Sequence, residues 1–160
     1  MTGKTHITGG IAASLAFAQL TNYDPLLMMG AGVVGSLIPD ICHGGSKIGR
    51  SMPALSKGIN VLFGHRSFTH SLLFLFITAF LLISMNVNEA ITVGIVVGMA
   101  SHCVLDMATK NGIKLLFPMN LAVRFPVTVR TGGVAEYGFL AMLSLLSVYF
   151  GYEAFSVYFE

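Results

Sequence analysis

Five apolar segments, parted by two short turns and two long polar connections, limit what this chain can fold into. They run from Thr5 to Leu20, Pro25 to Ile41, His70 to Met85, Ala90 to Met107 and Val134 to about Phe155. The third reads SLLFLFITAFLLISM after its histidine, with no charge in it. Backbone amides in hydrocarbon have no water to bond with, so segments of this kind must satisfy themselves as helices. Only 10% of the residues are charged and 54% are hydrophobic, against about a quarter charged in a soluble domain. With a mean hydropathy of +0.78, the composition suits lipid as solvent. The expected fold is all-α: one domain over 1–160, a polytopic membrane helical bundle of about five transmembrane helices. The first crossing is marginal, since sixteen residues reach only about 24 Å as a helix.

The long connections, Cys42 to Thr69 and Ala108 to Gly133, together with Lys4 hold all nine Lys and Arg residues. By the positive-inside rule this places the N-terminus and both connections in the cytoplasm, with the chain multi-pass in the cell's inner (plasma) membrane. The glycine-rich first connection reads as loop with a short surface helix. In the second, PVTVR alternates like a short strand. The first ten residues lack the apolar core and cleavage site of a signal peptide. Cys42 and Cys103 are too few for a disulfide framework and read as small buried side chains. A formal charge of +2 with no basic run gives no reason to expect a nucleic acid partner.

On this topology the ionisable residues converge on one membrane edge. His6 begins the first helix and Asp40 ends the second. His65 and His70 lead into the third, His102 and Asp106 end the fourth, and Glu136 opens the fifth. His102 and Asp106 are four apart, hence on one face of a helix. Ionisable groups at membrane depth are costly and usually functional, and imidazoles with carboxylates suit zinc, manganese or iron. Each residue also has a structural reading. His6 could be interfacial, Asp40 a turn residue after Pro39, His65 and His70 headgroup contacts, and Glu136 a helix N-terminal charge. His43, three after Asp40, lies in loop.

The blocks THITGG (Thr5–Gly10), GSLIPD (Gly35–Asp40), GHRSFTHS (Gly64–Ser71) and HCVLDMATKNGIKLLFP (His102–Pro118) resemble, in order, those of the LexA-regulated, membrane-bound metal-dependent hydrolase family. That family's second block usually ends in two acidic residues around an Ile; here the run is Asp40-Ile41-Cys42, which removes the second carboxylate. The family is in turn distantly similar to the zinc-dependent phospholipase C and single-strand nuclease superfamily. The resemblance implies Asp40, one of His65 or His70, His102 and Asp106 as ligands of one metal. His6 would help to hold a second ion, with Asp106 bridging and Glu136 contributing.

The function expected is metal-dependent hydrolysis of a phosphoester in a membrane lipid or lipid-linked substrate, with one or two divalent ions, zinc or manganese. Asp40 and Asp106 would serve the catalytic centre. Arg66 would contact the phosphate, whereas Arg124 and Arg130 read first as topology and headgroup contacts. Thr69 and its serine neighbours read as caps or as support for His70. No G-x-S-x-G elbow is present for a serine hydrolase. A metal-ion transporter and a non-catalytic protein stapled by metal are the alternatives; polar residues at one edge and the absence of a repeat count against transport.

Overall fold

The computed structural model of the protein describes residues 1–156. Among these the chain is helical: α1 (Gly3–Leu20), α2 (Pro25–Leu37), α3 (Lys47–Ser51), α4 (Pro53–Phe63), α5 (Leu72–Ser84), α6 (Glu89–Met107) and α7 (Val134–Ser156), with 3-10 turns at Ile38–Cys42 and Phe68–His70. The expected strand at PVTVR is replaced by two isolated bridges, Thr109 to Val129 and Ile113 to Val123. The segment that reads as loop with one surface helix contains both α3 and α4.

Among the described residues, three stretches are long and apolar enough by themselves to cross a membrane: Pro25–Cys42, Glu89–Met107 and Val134–Ser156. These bear out a helical membrane protein, and of the about five crossings expected they account for three. The third apolar segment yields only the 13 residues of α5, about 20 Å of helix, because Phe68–His70 is spent on a 3-10 turn and Ser71 is the N-cap of α5. α1 has 18 residues but opens on Lys4, Thr5 and His6, and it turns the last two inward, where both are buried.

α2 lies along α6, and α1 packs on both. Small residues permit that approach. A Cβ built on Gly35 would stand 2.1 Å from the Ile95 carbonyl oxygen, and one on Gly98 would stand 2.2 Å from that of Gly32. Small-residue seams of this kind are how helices associate where lipid removes the hydrophobic drive. α7 packs on α1 and α5 on α6, but the outer faces of both are bare and apolar. Phe76 and Phe80 on α5 are each 69% exposed, and Leu145 on α7 is 72% exposed. Exposed apolar faces of this kind are rare on a soluble monomer and suit contact with lipid.

α4 inverts the usual amphipathic order. Its buried residue is Ser56, its Asn60 donates to the Cys42 carbonyl at 2.8 Å, and its outward residues include Val61 and Leu62. It thus holds the 38–42 turn with polar groups and offers an apolar face to the surroundings, as an interfacial helix does.

Candidate metal centre

The largest fully buried side chains include His6, His70, His102 and Asp106. A soluble core places Leu or Phe in such positions; here the helix ends that meet at one level bring imidazoles and carboxylates. His6 comes from the first turns of α1, Asp40 from the 3-10 turn ending α2, His70 from the turn before α5, and His102 and Asp106 from the last turns of α6.

Nε2 of His70 and Nε2 of His102 are 3.2 Å apart. Asp106 Oδ2 lies 3.6 Å from the first and 3.7 Å from the second, and Asp40 Oδ1 lies 3.7 Å from each. A tetrahedral ion with bonds of about 2.0–2.2 Å has ligand-to-ligand edges of about 3.3–3.6 Å. The two histidines with either carboxylate therefore form a triangle close to one face of such a site. Ligand atoms of His70, His102 and Asp106 form one ion-sized group, and those of His6, Asp40 and His102 form another.

The hydrogen bonds behind these atoms turn the ligand nitrogens inward. His102 Nδ1 donates to the Ser36 carbonyl at 2.6 Å, which fixes the tautomer that leaves the Nε2 lone pair free. Pro39 explains why that carbonyl is available. With no N–H it cannot continue the α2 ladder, the chain tightens to 3-10 bonding at Ile38–Cys42, and the Ser36 oxygen is left to accept from α6. His70 Nδ1 meets Thr69 Oγ1 at 3.1 Å. Burial pushes the His70 imidazole down, but the adjoining Asp40, Cys42 and Asp106 push it up by more, so its pKa lies above the ordinary histidine value.

Asp106 is held from its other side. Its Oδ1 accepts from the Met1 amino group at 2.5 Å and from Arg66 Nη2 at 3.2 Å, and His6 Nε2 lies 3.3 Å from it. The His6 and His102 rings stack with centroids 3.6 Å apart and planes within 11°. His6 is buried; its Nε2 meets only the Asp106 carboxylate and its Nδ1 has no hydrogen-bond partner. A neutral imidazole has one N–H and one lone pair. Leaving a buried nitrogen unpaired costs about 1–3 kcal/mol, and a cation is a partner the lone pair suits. By this test the residues present fit a divalent ion. The cradle is open on one side, where Asp40 is 20% and Arg66 17% exposed.

Two residues read as ligands from the sequence stand outside this group. His65 is exposed, and its Nδ1 is engaged by Cys42 Sγ at 3.3 Å. Glu136 is buried but accepts from Thr2 N–H at 2.5 Å, Thr5 Oγ1 at 2.7 Å and Gly132 N–H at 2.6 Å. Those bonds consume its oxygens in tying α1 to the start of α7. His43 is likewise exposed, its ring 4.9 Å from that of His65. Sequence reasoning missed the Ser36 carbonyl and Thr109, whose Oγ1 accepts from Arg66 Nη1 at 2.8 Å. Pro39 is a signal for the first, and both residues lie inside the blocks that carry the family resemblance, Ser36 in GSLIPD and Thr109 in HCVLDMATKNGIKLLFP.

Residues 1–158 match the family model described as YdjM inner membrane protein. Uncharacterized protein YvsG of Bacillus subtilis (strain 168) is 52% identical over 155 residues, 97% of each chain. Inner membrane protein YdjM of Escherichia coli (strain K12) is 34% identical over 157 residues, 89% of this chain and 78% of its own; the Shigella flexneri protein of the same name shares those figures. No solved structure matches the chain.

Proposed function

This chain belongs to the YdjM inner membrane protein family, and on that footing we propose that it is a membrane-embedded metal-dependent hydrolase acting on a phosphoester of a lipid or lipid-linked substrate. The observation that carries the reading is the His70, His102 and Asp106 triangle, whose edges of 3.2–3.7 Å match one face of a tetrahedral site. The four sequence blocks similar to those of membrane-bound metal-dependent hydrolases supply the reaction class.

His70 and His102 would hold the ion through Nε2, with Asp106 Oδ2 and Asp40 Oδ1 on either flank. Zinc is the first choice for such a nitrogen and oxygen set, with manganese also compatible. When bound, a divalent ion lowers the pKa of water to near 7 and polarises a phosphoryl oxygen. The protein's own contribution is to fix the donors: the Ser36 carbonyl sets the His102 tautomer, and Arg66 holds the Asp106 carboxylate in place. Both nitrogens of one imidazole cannot turn inward, so His102 serves a single ion. A second ion would have to rely on His6 with the carboxylates. Asp40, at the open edge, is the carboxylate best placed to handle a proton of the attacking water. All basic residues lie on the site's side of the chain's topology, which puts that edge in the cytoplasmic leaflet.

The test is elemental analysis of detergent-purified protein together with turnover of a panel of phosphorylated lipids. Zinc or manganese near one ion per chain, and phosphate release, both lost in His102→Ala with Asp106→Ala, is the expected result. A loaded, folded protein that turns over none of the panel would leave the metal as a staple between helix ends. A folded protein that takes up no ion would remove the reading altogether.

A further inference from the structure

Beside the metal centre lies a cavity of about 210 Å³ lined by Arg66, Thr109, Lys110, Asn111, Val129, Arg130 and Thr131. At about 30 Å³ per water it has room for a hydrated polyatomic ion. Three of its seven lining residues are cationic, in a chain with only nine Lys and Arg, and no carboxylate lines it. Among the described residues Lys110 and Arg130 form no ion pair, while Arg66 reaches Asp106 through Nη2 and Thr109 through Nη1. The Thr131 hydroxyl and the Asn111 amide add donors, while the Thr109 hydroxyl gives its proton to the Asp106 carbonyl at 2.7 Å and orients Arg66. Charge surplus, hydroxyl and amide donors, and an arginine fork together describe a site for a tetrahedral oxyanion.

The backbone is shaped for it. Arg66 adopts φ +58°, a left-handed conformation that a residue with a long side chain seldom takes. Lys114 N–H bonds to its carbonyl at 3.0 Å, which locks that residue against the second connection. The opposite wall is pinned where Val129 N–H bonds to the Ala108 carbonyl at 2.8 Å. Two connections far apart in sequence thus contribute cations to one hollow.

We propose that this cavity binds the phosphate group of the ligand, with Arg66, Lys110 and Arg130 as the residues that select a phosphate. The inference deepens the hydrolase reading and rests on it for the bond that is cleaved. Arg66 spans both parts: one side of its guanidinium faces the cavity wall at Thr109 and the other holds Asp106. A phosphate bound there is delivered to the carboxylate flank of the metal centre.

Binding is measured calorimetrically on the full chain in neutral detergent at low ionic strength, where charge attraction is least screened. The probes are inorganic phosphate and a short-chain soluble phosphatidate. Lys110→Gln with Arg130→Gln, both at exposed positions, should weaken each probe at least tenfold, and Thr131→Glu should do the same by placing an anion at the rim. His102→Ala should bind both probes as the wild type does, while losing metal. Tighter binding of the phosphatidate identifies a lipid-borne phosphate; equal binding identifies the free ion or the headgroup alone. The proposal is overturned if the wild type binds neither probe, if both rim variants bind unchanged, or if His102→Ala abolishes binding, which would put the anion on the metal instead. Phosphate binding without turnover would keep the cavity and sink the hydrolase reading; turnover without rim dependence would do the reverse.

Discussion

Nε2 of His70 and Nε2 of His102 face each other at 3.2 Å, each ring held from behind through Nδ1. The Ser36 carbonyl can only accept, so His102 carries its proton on Nδ1 and offers a bare Nε2 lone pair. His70 answers with an Nε2 proton when Thr69 Oγ1 donates to its Nδ1; when Thr69 accepts instead, both Nε2 lone pairs face each other and a cation between them is their common partner.

His70 and His65 are interchangeable in the sequence and are not in the structure. His70→Ala should reduce metal content to near zero, whereas His65→Ala should leave it within error of wild type, since His65 is turned to Cys42. Elemental analysis of the two purified variants decides this. The opposite result would mean that the 64–71 segment is rotated in the loaded protein.

Metal affinity should depend on pH in a stated direction. The His70 pKa lies above the ordinary histidine value, so below that raised pKa an ion must displace a proton. Affinity should be level above it and fall as pH drops through it, beginning at a higher pH than an unperturbed histidine at about 6.5 would give. Competition with a zinc chelator, from about pH 8 down to about pH 5.5, measures the curve. A curve without slope would exclude His70 as a ligand.

Glu136 joins α1 to α7 and touches no member of the cluster. Glu136→Ala strips Thr2, Thr5 and Gly132 of their acceptor and should cost about 1–3 kcal/mol. Metal stoichiometry in the folded protein should remain that of wild type. Thermal unfolding in detergent and metal analysis on one preparation separate the two effects; a parallel loss of metal would make Glu136 a ligand after all.

Gly98→Ala drives a methyl group into the Gly32 backbone and should destabilise by about 1–3 kcal/mol or more. Gly58→Ala on α4 meets nothing within 4 Å and should be neutral or stabilising by up to about 1 kcal/mol, as helix propensity dictates. Comparing their unfolding temperatures tests whether the α2–α6 seam holds the helix ends in register.

Hydropathy reveals the long helices nearly to the residue. α6, expected over Ala90 to Met107, runs Glu89–Met107; α7, expected from Val134 to about Phe155, runs Val134–Ser156. The third segment reads longer than its helix because hydropathy does not register where a 3-10 turn precedes an apolar run, as at Phe68–His70. The gathering of His6, Asp40, His102 and Asp106 at one edge is readable from topology, since helix ends on the same side share a level. The choice between His65 and His70 is not. It is made by a turn with positive φ at Gly64 and Arg66, and in such a turn residue spacing no longer tells direction. Glu136 is undecided in the sequence for a related reason: a carboxylate that accepts three protein hydrogen bonds and one that awaits an ion look alike until their neighbours are placed.

The cradle draws on α1, the turn after α2, the turn before α5 and the end of α6, so its first and last contributors, His6 and Asp106, are a hundred residues apart. No subset of the early helices contains it. A chain emerging into the membrane has no binding power for an ion until α6 is in and docked, since the helices insert before they associate. Any ion capture therefore waits for the docking of α6. A chain halted before α6, or with that helix misplaced, would be chemically silent in the bilayer.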